Sequence, residues 1–513
     1  MAEVAELVEA LSDPDFYDHD PDGVEVRQST TSVVFVAGDR AFKLKKPINH
    51  PDMNYSTPAR RRRMCNLEVE LSQRLSPTLY HDVHKITSRR DGFALNGRGK
   101  VIDYLVEMDR LDDNNCLRLM VEEDRVEPEQ MRELARKLVI FHEEAERRQL
   151  INSFSRPHII ARQWNKRFRA SAEYVGNIFS ADVYRDIVTF ASYFLGENRS
   201  LLQSRIDNGC VCDGHGELTA EHIYFEDGIQ IIDCVEYNDR MRYRDIAFDL
   251  AALILSLDSL GSPDLSDAVI EEYKAQSGNK LDEVLDFYLC FRAHDRALTL
   301  SRLATMPEVP LIEHQELVKR AKRYYHLAHK YSRGDRQPIM LVMSGVIGVG
   351  KSRLAAALAD ILAIRHLTAD GDEEHFATVA DESDPDSEKE VALVGAAYED
   401  LFERAEHRLE RGRSVVLDAA FYNSTYRVAA RTLARKHNAE FLVVECDADE
   451  EILRERVREQ AEDQDERPRE RLRLLREQQK AFRPSREIYR KDKVYVNTTD
   501  SLDEQVETVL GEL

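Results

Sequence analysis

Hydrophobic and polar positions change rhythm once along the 513-residue chain. Beyond residue 338, short apolar runs alternate with longer stretches of helical periodicity. Ile339 to Met343 is unbroken apolar sequence, suited to a parallel strand buried on both faces. Leu354, Leu358, Ile361 and Leu362 fall on one side of the helix that follows. Further strands are predicted at Ser414 to Leu417, Phe441 to Glu445 and Lys493 to Val496. Helices are predicted at Glu388 to Glu410, Ser424 to Lys436, Glu450 to Gln460 and around Glu470 to Lys480. Strands alternating with helices of this length imply an α/β domain, a parallel sheet with helices on both faces.

The earlier part of the chain is patterned differently. Val24 to Val36 alternates like a pair of strands, and Arg40 to Pro47 reads as another strand with lysines on one face. Arg60 to Leu75 is helical and carries Glu68 and Glu70. The region ends in a helical run from Glu313 to Tyr331. Ser332 to Gln337 is short and polar, contains Gly334 and precedes Pro338, which is the punctuation of a linker. We therefore expect an N-terminal domain over 1–331, a linker over 332–337 and a second domain over 338–513, in keeping with a chain too long for one core.

Composition narrows the classes of function. Hydrophobic residues make up 42% and charged residues 33%, a globular balance without low-complexity bias. No apolar stretch has the length of a bilayer span, and the acidic, amphipathic start is unlike a signal peptide, so a cytoplasmic protein is expected. Seven cysteines, an odd number scattered through a long chain, point to reduced thiols. A net charge of −23 disfavours nucleic acid as a partner, because a phosphate backbone needs a basic field. A small anion in a local basic pocket remains compatible with that charge. The oligomeric state is not legible in the sequence.

The most specific motif is Gly345-Val346-Ile347-Gly348-Val349-Gly350-Lys351-Ser352, between the apolar strand and the amphipathic helix. Glycines at this spacing let successive backbone amides turn inward onto phosphate oxygens. Lys351 would neutralise the terminal phosphates, Ser352 would ligate Mg²⁺, and the helix N-terminus adds partial positive charge. ATP with Mg²⁺ is the expected cofactor pair. Asp418 ends the strand Val415-Val416-Leu417, where a carboxylate can hold the metal's water shell or orient a nucleophile. Asp370 follows the second strand, from which it could accept a proton from an attacking hydroxyl. Asp at a strand end is also a common helix cap, and that reading stays open for both.

At these residues the segment 338–513 resembles the small-molecule and polynucleotide P-loop kinases. The resemblance implies that Ser414 to Phe421 is their second acidic strand, and that Arg454, Arg456 and Arg458 lie where they carry lid arginines, with Arg456 the candidate to stabilise a transferring phosphoryl group. Arginines on an exposed helix are also ordinary solvated charge. One departure matters. Ala369-Asp370-Gly371-Asp372-Glu373-Glu374 is strongly acidic where the polynucleotide kinases carry arginines, so a neutral or cationic small-molecule hydroxyl is the expected acceptor.

In the N-terminal part, Asp213-Gly214-His215-Gly216-Glu217-Leu218-Thr219-Ala220-Glu221-His222-Ile223 is followed, after one strand, by Ile231-Ile232-Asp233-Cys234-Val235-Glu236. These segments resemble the catalytic loop and metal-binding Asp of the aminoglycoside phosphotransferase family. The runs Phe42 to Pro47 and Glu236 to Arg240 resemble a bacterial and archaeal branch of it that is often fused to a C-terminal P-loop kinase domain. The resemblance implies an α+β, protein-kinase-like fold in which Lys43 contacts phosphates, Glu68 orients Lys43, Glu217 is the catalytic base and Asp233 binds Mg²⁺. Two positions depart from the family. Glu217 replaces Asp and is one methylene longer, and displacing a reacting group by about 1 Å can cost roughly a hundredfold in rate. His222 replaces the metal-binding Asn, although Mg²⁺ prefers oxygen ligands.

Blander readings accompany these residues. His215 is expected to brace the loop backbone, and Asp245 and Asp249 to cap a helix and pair with Arg240, Arg242 or Arg244. Cys210, Cys212, His215, His222 and Cys234 lack the spacing of a zinc site. Arg60 to Arg63 reads as a solvated helix start. The sequence thus points to a two-part phosphotransferase, with an N-terminal ligand-binding module that regulates the C-terminal half as the alternative. A partner-remodelling ATPase is a third, weaker reading.

Overall fold

The computed structural model describes residues 2–50, 53–90, 92–306, 309–369, 385–463 and 468–513. They form two compact units. The first comprises 1–169, 189–257 and 265–292, and the second 170–188, 258–264 and 293–513. The polar linker marks where the P-loop pattern starts, but the second compact unit also takes in the helix Leu311–Arg333 that precedes it. Within that unit Lys322 Nζ donates to Asp503 Oδ1 at 2.7 Å, and Arg323 Nε donates to the Asp360 carbonyl at 2.5 Å.

The first unit is α+β. Its antiparallel sheet runs in the order Val24–Gln28, Ser32–Ala37, Arg40–Lys45, Val101–Asp109, Tyr80–Arg89, Gly92–Leu95. Side chains alternate across a strand, and Arg40–Lys45 shows the consequence. Phe42 and Leu44 pack with Phe35, Ile86 and Leu105 on the face covered by Leu7 and Leu11 of helix Ala2–Leu11. Ala41 packs on the opposite face with Cys65 of helix Pro58–Ser72, and Lys43 and Lys45 share that face by their odd register. Both lysines are thereby turned toward the helix that carries Glu68.

Helix Pro58–Ser72 starts on a Thr57 cap with Pro58 in its first turn, and buries Arg61, Cys65, Glu68, Leu71 and Ser72. Two of these carry charge, so the stripe is helical in spacing yet weakly hydrophobic. Arg61 Nε donates to Asp103 Oδ1 at 2.7 Å and its NH1 to the Tyr55 carbonyl at 2.9 Å, fastening the helix to strand Val101–Asp109. Apart from the sheet the unit is largely helical and includes Pro128–Glu144 and most of Ile246–Ser259.

The second unit is α/β with a wholly parallel five-stranded sheet, ordered Arg365–Thr368, Val415–Asp418, Ile339–Ser344, Glu440–Asp447, Lys493–Asn497. Ile339, Leu341 and Met343 face one layer, built on helices Lys351–Leu362, Glu450–Asp463, Pro468–Ala481 and Leu502–Leu510. Met340 and Val342 face the other, built on Pro385–Glu410 and Ser424–Lys436. An α+β unit followed by an α/β unit with a parallel sheet, as expected, is the arrangement observed. Among the described residues no helix is long and apolar enough to cross a membrane.

Removing one partner of a buried ion pair typically costs about 3–5 kcal/mol. Asp103→Ala, which strips the buried Arg61 of its carboxylate, is therefore expected to lower the first unit's stability by about that amount. Calorimetric unfolding should show a depressed transition, and an unshifted one would mean that the pair does not hold the helix.

Candidate active sites

The first unit assembles its charged residues around Glu68, whose side chain is only 1% exposed. Lys43 Nζ lies 2.9 Å from Glu68 Oε1 and 2.5 Å from Asp233 Oδ1. Burial alone would discharge Lys43, but the Asp233 and Glu68 carboxylates outweigh it and hold its pKa well above the ordinary lysine range. Burial would likewise raise Asp233, and Lys43 with His222 holds it below the usual carboxylate range instead. The Asp233 side chain keeps 35% of its surface open, so one carboxylate edge of an otherwise closed cluster faces outward.

Asp233 lies outside the strand ladder. The hairpin Ile223–Phe225 and Ile229–Ile231 ends two residues earlier, and Asp233 adopts a left-handed φ of 59°. Such a backbone costs roughly 1–2 kcal/mol for a residue with a Cβ and needs support. The Tyr80 hydroxyl accepts from Asp233 N at 3.2 Å, and His215 O accepts from Val235 N at 3.1 Å.

His215 braces this turn, as expected. Its Nε2 lies 2.9 Å from the Ile232 carbonyl, and its Nδ1 accepts from Glu217 N at 3.3 Å, which assigns the proton to Nε2. Burial lowers its pKa to about 4, so the ring is a neutral spacer. The loop is also held from below. Asp249 accepts from His215 N at 2.7 Å and from Gly216 N at 2.8 Å, and His142 Nε2 lies 3.3 Å from the same carboxylate. Asp249 therefore pins the loop through these groups, where pairing with Arg240, Arg242 or Arg244 was expected. Asp245 does cap, accepting from Ala247 N at 2.8 Å, but its arginine is Arg205, at 2.6 and 2.7 Å. Arg242 instead meets Asp213 at 2.7 Å. These long-range exchanges, unlike spacing along one helix, have no signature in sequence.

Glu217 is half-buried in the braced loop. His222 Nδ1 donates to the Glu217 carbonyl at 2.9 Å, which fixes the ring beside the turn. For Mg²⁺ the donor set fits at Asp233, an oxygen ligand with an open edge, and not at His222, whose imidazole is a poor Mg²⁺ ligand. The cluster of Lys43, Lys45, Glu68, Asp233 and Glu236 also contains one more carboxylate than ammonium, so a cation at the open edge is electrostatically favourable.

The second unit presents backbone instead. Gly345, Gly348 and Gly350 have φ of 152°, 76° and 95°. A Cβ on Gly345 would meet the Cys446 carbonyl at 2.9 Å, and one on Gly348 would meet Val457 Cγ2 at 2.5 Å, so Val346, Ile347 and Val349 are threaded between positions that admit only glycine. Gly350 caps helix Lys351–Leu362. Ile347 N donates to Gln478 Oε1 at 2.7 Å, Gly345 N to the Ala420 carbonyl at 3.1 Å, and Lys351 Nζ to the Val346 carbonyl at 2.9 Å. This glycine-bounded loop fits a polyphosphate, with Lys351 resting on its rim and Ser352 exposed on the helix behind it.

Asp418 is the last residue of Val415–Asp418 and lies in register with Met343, two residues before Gly345. It is buried on the same sheet face as helix Lys351–Leu362, where a metal carboxylate fits. His366, which the sequence did not single out, reaches Asp418 Oδ2 through Nε2 at 3.0 Å from the neighbouring strand. Arg456 is bound to the loop itself, NH1 to the Val349 carbonyl at 3.4 Å and NH2 to the Thr498 carbonyl at 2.8 Å. Arg454 pairs with Glu450 at 2.9 Å and Arg458 is exposed. Asp370 and the acidic run after it lie outside the described residues.

Residues 340–484 match the family model described as AAA domain. An uncharacterized protein of Mycobacterium tuberculosis (strain ATCC 25618 / H37Rv) is 28% identical over 443 residues, covering 85% of this chain and 86% of that protein. A putative kinase from Chloroflexus aurantiacus shares 19% identity over 34% of this chain and 99% of its own, with a TM-score of 0.28. A GDP complex of aminoglycoside 2'-phosphotransferase-IIIa shares 13% over 61% of this chain and 95% of its own, with a TM-score of 0.37. Likenesses this distant leave the chemistry to be read from the chain's own residues.

Gly348→Ala forces a Cβ into Val457 at a left-handed φ. A free loop that shifts to relieve this strain of roughly 1–2 kcal/mol must take it up again to bind, which gives about tenfold weaker Mg-ATP binding at this site. Titration calorimetry on a variant in which the first site is silenced by Lys43→Met should show that loss, and unchanged affinity would mean that the loop is not the phosphate cradle.

Proposed function

We propose that the chain is an ATP- and Mg²⁺-dependent phosphotransferase that acts on a small-molecule hydroxyl, with a nucleotide site in each unit. The observation that carries this reading is the glycine cradle of the second unit with Asp418 at the end of the adjacent strand. Backbone amides and Lys351 would hold the phosphates, and Ser352 and Asp418 would hold the metal. Bound Mg²⁺ would neutralise charge on the transferring group. Arg456, tied to the loop carbonyl, would keep the cradle's shape, and Asp370 is the proposed base.

In the first unit Lys43 would contact phosphates, oriented by Glu68, and Asp233 would hold the metal. Glu217, in the loop fixed by His215 and Asp249, would accept the hydroxyl proton. Net charge and the acidic run after Ala369 support a neutral or cationic acceptor. A cytoplasmic location agrees with the free cysteines of the described residues.

A second reading is favoured by His222. With an imidazole in place of an oxygen ligand, the first unit would bind nucleotide as a regulatory module without transferring phosphate. Incubation of the full chain with ATP, Mg²⁺ and a metabolite pool, followed by mass spectrometry, separates the two. Lys351→Met is expected to leave a residual phosphorylated product that Lys43→Met removes. Loss of every product on Lys351→Met alone would favour the regulatory module, and no product from the parent chain would count against transfer altogether.

A further inference from the structure

Glu68 is held twice. One carboxylate oxygen receives Lys43 and the other receives Lys45. Lys43 faces the opening toward Asp233, whereas Lys45 is buried and out of a ligand's reach. The second contact of Lys45 is Glu236 Oε1 at 2.5 Å, and the same oxygen accepts the Tyr55 hydroxyl at 2.5 Å. The Tyr55 ring also lies under Lys45 Nζ, with its centroid 5.1 Å away. Four segments meet here: strand Arg40–Lys45, the residue that precedes helix Pro58–Ser72 by a short turn, the helix itself, and the stretch that leaves Asp233.

Ion pairs removed from water are a poor source of stability, because desolvation offsets much of their attraction, and an apolar pair fills the same space. What this pair supplies is geometry. A glutamate held through one oxygen can still turn about its terminal torsion, but one held through both cannot. Glu236 lies three residues beyond Asp233, so the clamp that fixes Glu68 also fixes the exit of the left-handed turn on which Asp233 is carried. Lys45 stays charged because Glu68 and Glu236 outweigh its burial, and the Glu236 carboxyl is held below its ordinary range by Lys45 and Lys43 against the same burial.

We infer that Lys45, Glu236 and Tyr55 form a buried latch of positioning residues that fixes Glu68 and the Asp233 turn together, so that Lys43 and Asp233 meet a Mg-nucleotide without rearrangement. This rests on the reading of the first unit as a nucleotide site, and it gives that site an organising group beyond the lysine, glutamate and aspartate of the family pattern.

The test uses the full chain carrying Lys351→Met, which silences the second site, with Mg-ADP as the probe in titration calorimetry. In this background Lys45→Met should weaken Mg-ADP by about tenfold, the lower end for groups that orient primary ligands. Lys45→Arg, which keeps the charge, should recover part of the loss. Tyr55→Phe, which deletes one hydroxyl, should weaken binding by about threefold, the lower end for one lost hydrogen bond. Hydrogen exchange across 58–72 should quicken in step with each loss, with circular dichroism unchanged. Heat that Lys43→Met abolishes and both Lys45→Met and Tyr55→Phe leave intact would overturn the latch and spare the nucleotide site. Absence of saturable heat from the Lys351→Met chain itself would overturn both. If Lys45→Met loses its circular dichroism signal, Tyr55→Phe decides: a weakened site upholds the latch and an unchanged one overturns it.

Discussion

The first unit depends on keeping a lysine charged where water has been withdrawn. An ammonium taken from water loses its proton unless carboxylates are placed against it. Lys43 meets that constraint with Glu68 on one side and Asp233 on the other. Much of the surrounding architecture follows from it. Strand alternation turns Lys43 and Lys45 to one face, helix Pro58–Ser72 must spend a buried position on Glu68, and a strained turn at Asp233 has to be braced by Tyr80 and His215. The helix therefore carries polar residues in its buried stripe, and it is fastened by Arg61 and Asp103 as much as by apolar contact.

The second unit reaches a similar electrostatic end by another route. Under the proposed reading its phosphate donors would be backbone amides, which need no proton balance and carry no side-chain entropy. The requirement passes to chain geometry, and it is strict: the Cys446 carbonyl and Val457 close the space beside Gly345 and Gly348. Because those neighbours belong to strand Glu440–Asp447 and helix Glu450–Asp463, the cradle is shaped by elements a hundred residues downstream in a way local sequence does not reveal.

That contrast explains what could be read from the sequence. The parallel sheet was legible because its strands are continuous apolar runs, and the cradle because its glycines are spaced by local geometry. Lys43, Glu68 and Asp233 were reachable through the spacing of lysines on a strand, a glutamate on the next helix and a family-like loop. The partners of Asp245 and Asp249 were not, since Arg205 and the amides of His215 and Gly216 arrive from other parts of the chain. His366 escaped for the same reason: only the pairing of two parallel strands brings it to Asp418. The family-like pattern implies a metal-binding Asp on a strand, whereas here the ladder stops at Ile231 and Asp233 lies in the left-handed turn that follows.

The departures at Glu217 and His222 bear differently on the two things a phosphotransferase must do. Binding a metal nucleotide asks for a phosphate cation, a metal oxygen ligand and a fixed distance between them, roles that Lys43, Asp233 and the groups behind them would fill under the proposed reading. Transfer asks in addition for a base at the right reach. Glu217 is carried on a loop fixed at both ends, through Asp249 to His215 N and Gly216 N and through His222 to the Glu217 carbonyl. A longer acid on a rigid loop places its carboxylate differently from aspartate, by about the length of one methylene. Under the proposed reading, an acceptor whose hydroxyl sits correspondingly farther from the loop would compensate for that difference, so the substitution would constrain which acceptor fits. The His222 bond contributes to the same end, because a histidine that bonds the loop backbone holds in place the residue whose reach has changed.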